Sequence, residues 1–172
     1  TTVGAQSFGN AVTLGVNTAL VTTLNGNSSV TFGSTLNSSE ALSRLSTPAP
    51  ATLSITAGAA HAVFFSGIVG GASYAGTGGA QTTTGALGGV TISAGLTSFE
   101  AAFAAASVVT SGTSIVLDSN ITTTGIQTYN GDVFVRSDAV LAGGIVFLGG
   151  IVWISFGTQP GWIGWVLAAG GG

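Results

Sequence analysis

The sequence has no cysteine, no methionine and no lysine, and only seven of its 172 residues carry formal charge: Glu40, Glu100, Asp118, Asp132, Asp138, Arg44 and Arg136. Without cysteine there is no disulfide framework and no thiolate chemistry. Without lysine or any basic cluster, and with a net charge of −3, the electrostatic footprint of a nucleic-acid-binding protein is missing. The glycine-rich stretches have no downstream lysine, and they lack the strand-to-helix setting that a phosphate-cradling loop requires. The absence of methionine gives the expectation that the chain is a processed product or an excerpt of something longer. The sole histidine, His61, has no Ser-His-Asp or metal-ligand spacing around it and reads as structural.

The chain is 45% apolar, with a mean hydropathy of +0.65, which is ample for one buried core. A charged fraction of 4% is far below the usual quarter. A surface so poor in charge is covered by Thr, Ser, Asn and Gly, or is buried against other chains or lipid. Self-association is therefore expected.

Short β-branched runs dominate the pattern. They are Val12-Thr13-Leu14, Ser29-Val30-Thr31-Phe32, Thr52-Leu53-Ser54-Ile55, Val90-Thr91-Ile92, Ser114-Ile115-Val116-Leu117 and Val133-Phe134-Val135, each read as a strand. Turn residues such as Asn25-Gly26-Asn27, Gly70-Gly71, Gly88-Gly89 and Asn130-Gly131 separate them. One internal repeat is visible at a shift of 121 residues. Gly4, Gln6, Phe8 and Val12 lie over Gly125, Gln127, Tyr129 and Val133, as expected of one strand-turn-strand unit used twice. Stacked copies of Gln6 and Gln127 are expected to form an amide ladder.

Two stretches depart from this pattern. Ser98 and Glu100 before an alanine-rich run are compatible with a short helix near residues 98–107, the alternative being a pair of small-residue strands. Residues 139–156 hold no charge and meet the length rule for a membrane helix. Gly143-Gly144 and Gly149-Gly150, however, divide that stretch into two strand-sized runs. The chain is accordingly divided into a repeat region, 1–138, and an apolar Gly/Trp-rich segment, 139–172, of further strands or an assembly contact. Trp153, Trp162 and Trp165 are the candidate contacts there.

The segments TTVGAQSFGNAVTLGVNTAL, SVTFGSTL and NITTTGIQTYNGDV, with residues 51–71, resemble the repeats of filamentous-haemagglutinin-like bacterial exoproteins. The resemblance implies a right-handed parallel β-helix that is exported to the bacterial surface or beyond and serves as an adhesive fibre. The expected fold is therefore all-β, a β-solenoid of about eight coils. Its partners are expected to be further copies, joined end to end and side to side, and host or environmental surfaces. No catalytic residue, cofactor or metal site is expected. Asp118, Asp132 and Asp138 read as turn residues, because the Gly/Asp pattern of calcium-binding rolls is absent. Two other readings are weaker: a membrane-associated protein whose C-terminal segment meets lipid, and a carbohydrate-active β-helix enzyme using Asp118 or Asp132.

Overall fold

The computed structural model describes residues 1–23, 28–39, 50–71, 73–75 and 82–154. Strands follow one another in the order β1 (Thr2–Val3), β2 (Gln6–Phe8), β3 (Val12–Leu14), β4 (Thr18–Thr23), β5 (Val30–Phe32), β6 (Leu36–Ser38), β7 (Leu53–Phe65) and β8 (Ser73–Ala75). They continue as β9 (Thr82–Thr84), β10 (Leu87–Phe99), β11 (Phe103–Leu117), β12 (Ile121–Thr123), β13 (Gln127–Val135), β14 (Leu141–Ala142), β15 (Val146–Leu148) and β16 (Val152–Ile154). No helix occurs among the described residues. Every run named above as a strand falls in or against one of these elements.

All described ladders are parallel except the β8–β9 hairpin. The registers sort the parallel strands into three sets. In the first, Leu20, Ile55, Ile92, Thr110, Tyr129 and Leu148 stand in one column. In the second, Phe8, Phe32, Phe65, Phe99, Leu117, Val135 and Ile154 do so. The third holds Val12, Leu36, Val69, Phe103, Ile121 and Leu141. From β2 onward the chain visits the sets in one cyclic order, second, third, first. Long connections leave the third set and re-enter the first after β6 and after Val69, and the second of these carries the β8–β9 hairpin.

Core residues come from alternate positions of these strands, as a period of two demands. Phe32, Phe65 and Phe99 are fully buried and stack on Phe8 and on one another at 5.0, 5.4 and 5.5 Å between ring centroids. Phe103 closes against Phe65 and Phe99 edge-on, at 5.3 and 5.0 Å. Aromatic pairs in these arrangements contribute about 0.5–1.5 kcal/mol each beyond the burial of their area. One polar side chain interrupts the first column. Thr110 is fully buried and its hydroxyl has no hydrogen-bond partner. Thr110→Val keeps the shape and removes the orphan group, so we expect a gain of about 1 kcal/mol, read as a higher urea midpoint at unchanged slope. A fall in the midpoint would show that the hydroxyl is satisfied.

Of the two readings of residues 98–107, a short helix or a pair of small-residue strands, the structure has strands. Ser98 and Phe99 end β10, and Phe103 begins β11. Phe103, Ala105, Val108 and Thr110 point inward, and β11 pairs with β10 on one side and with β12 and β13 on the other. A helix there would forfeit both ladders and the burial of Phe99 and Phe103, which outweighs the few tenths of a kcal/mol per residue by which alanine favours helix. Ser98 does not cap a helix; its hydroxyl donates to the Glu100 carboxylate at 3.3 Å. The uncharged stretch after Ala139 forms β14, β15 and β16, divided at the glycine pairs as its composition indicated.

Candidate functional site

Charged side chains gather at one corner. Ser66, Glu100, Asp118 and Arg136 each follow the phenylalanine column directly, and each donates its backbone N–H to the strand before it: to Phe32, Phe65, Phe99 and Leu117 respectively. The Arg136 guanidinium donates to both Asp118 oxygens, from Nε at 3.0 Å and Nη2 at 2.6 Å. This hydrogen bond, with the Asp118 charge, raises the Arg136 pKa above its ordinary value. The Arg136 side chain is 58% exposed, so the pair adds at most a fraction of a kcal/mol to stability. Glu100 accepts from the Ser66 hydroxyl at 2.8 Å.

A second device recurs where strands begin. Asn17, Asn120 and Asp132 each accept, through a side-chain oxygen, the backbone N–H of the residue just before an adjoining strand. The donors are Thr52, Val140 and Ile151, at 2.9, 2.9 and 3.2 Å. In each case the next residue along, Thr18, Ile121 or Val133, donates its own N–H to the carbonyl of that same partner. Both backbone groups at the corner are thereby satisfied, which a buried or crowded turn requires. Asp132, read above as a turn residue, is one of these corners, and Asn17 and Asn120 are the others, whereas Asp118 pairs with Arg136. Asp138 is exposed. His61 lies where β7 bulges out of register with β10, and its Nδ1 accepts the Ser28 N–H at 3.3 Å. Among the described residues there is no group of three or more His, Cys, Asp or Glu side chains that could hold a metal.

The paired repeat positions keep their local geometry but not their column. Gln6 Nε2 donates to the Val21 carbonyl and Gln127 Nε2 to that of Ala142, partners that are themselves 121 residues apart. Thr2 and Thr123 likewise donate to the Gly4 and Gly125 carbonyls. Gly4, at φ +108°, makes its turn in open space. Gln6 is nevertheless in register with Val30 and Val63 in the second set, whereas Gln127 lies between Val108 and Val146 in the first. Phe8 and Val12 are likewise one set away from Tyr129 and Val133. The expected amide ladder is therefore not formed, because the number of residues intervening before Gln127 turns its copy of the unit by one set.

Gln127 and Tyr129 are fully buried. The Tyr129 hydroxyl donates to Gln127 Oε1 at 2.8 Å, and the Gln127 amide donates onward to the Ala142 carbonyl at 2.9 Å. Burial pushes the Tyr129 phenol far above its ordinary pKa, so it stays neutral and acts as a donor. Tyr129→Phe leaves Oε1 buried and unpaired and should cost roughly 1–3 kcal/mol by urea denaturation. Adding Gln127→Leu removes the stranded partner and should recover part of that loss; a purely additive pair of losses would contradict this account.

Trp153 lies on β16, 41% exposed, with its ring stacked on that of Phe134 at 6.3 Å. Trp162 and Trp165 are outside the described residues. The chain matches no family model, no curated protein and no solved structure.

Proposed function

We propose that this chain is a unit of a secreted structural and adhesive fibre, a right-handed parallel β-helix that associates with further copies at the bacterial surface. One observation supports this reading above the others: three sets of parallel strands follow one cyclic order from Gln6 to Ile154, with the side-chain oxygens of Asn17, Asn120 and Asp132 holding recurrent corners. Repetition of this kind supplies extent and stiffness instead of a localised reactive site. The low charge fits a surface destined to be covered by its own kind. Adhesion, export and the bacterial setting rest on the resemblance of the TTTGIQTYNGDV-type segments.

Negative-stain imaging and sedimentation of the purified chain test the reading. Rods or filaments are expected, with an aligned-fibre repeat of about 4.8 Å along the long axis. A monodisperse globular monomer would overturn it.

A further inference from the structure

We draw no further inference here: the strongest candidate, the outer face of the first strand set, where Ser54 and Thr56 of β7 stand exposed in register with Thr91 and Ser93 of β10, is a stripe of small polar side chains, and nothing in the structure shows what covers it.

Discussion

Phe65→Ala should be the most damaging single truncation in the chain, costing roughly 3–5 kcal/mol. Phe65 is fully buried, lies between the Phe32 and Phe99 rings at 5.4 and 5.5 Å, and receives the edge of Phe103 at 5.3 Å. Removing its ring takes away the transfer free energy of the side chain and three aromatic contacts together. The cavity cannot collapse, because the rings above and below are held by ladders to β5 and β10. Against a total stability of order 5–15 kcal/mol, such a loss leaves the molecule marginal, with a melting temperature lowered by roughly 6–20 °C. Phe65→Leu should cost less than about 2 kcal/mol. Phe8→Ala, at the half-buried end of the stack, should cost clearly less than Phe65→Ala. Equal losses for Phe8→Ala and Phe65→Ala would show that the stack does not act as a continuous core.

Gly112→Ala should cost about 3 kcal/mol, although it adds a single methyl group. Gly112 lies where β11 passes from the first set to the second, and a Cβ there would overlap the Ala94 carbonyl oxygen of β10. Gly131 stands in the same relation to Gly112, and Gly150 to Gly131, so successive passes of the chain meet main chain to main chain at this corner. The obstacle is main chain and not the end of a flexible side chain. Relief therefore requires β10 and β11 to separate where they share ten register pairs, Leu87↔Ala105 through Phe99↔Leu117. Gly9→Ala is the control: a Cβ there meets nothing within 4 Å, and its effect should stay within about 0.5 kcal/mol. Thermal melts of both variants decide the matter. A Gly112→Ala protein as stable as the parent would mean that the corner is wider than the structure shows.

What was legible beforehand was local. Val12, Val30, Leu53, Val90, Ile115 and Val133 announce strands because β-branched residues alternating with small polar ones suit a pleated, half-buried surface. Glycine pairs at 143–144 and 149–150 announce breaks in a stretch long enough for a membrane helix. The 121-residue echo was readable too, down to the Gln6 and Gln127 amides, because each bonds a carbonyl fifteen residues ahead within its own unit. The corner caps were partly legible: Asn120 sits in a turn-forming stretch, whereas nothing local says that Asn17 and Asp132 face a backbone N–H more than fifteen residues away.

The sequence by itself therefore determined that the chain is β-rich and nearly chargeless, since these follow from residue type and near neighbours; it did not fix strand length, because β10 and β13 run on through Gly88-Gly89 and Asn130-Gly131, where turns were expected. Only the tertiary structure decided that the alanine-rich run after Phe99 is a strand, because the ladders on both sides of β11 outbid its helical preference. Only the tertiary structure decided which strands share a column. Register counts every intervening residue, including the long connections after β6 and Val69, so Gln6 and Gln127 keep the same local bonds yet face different neighbours.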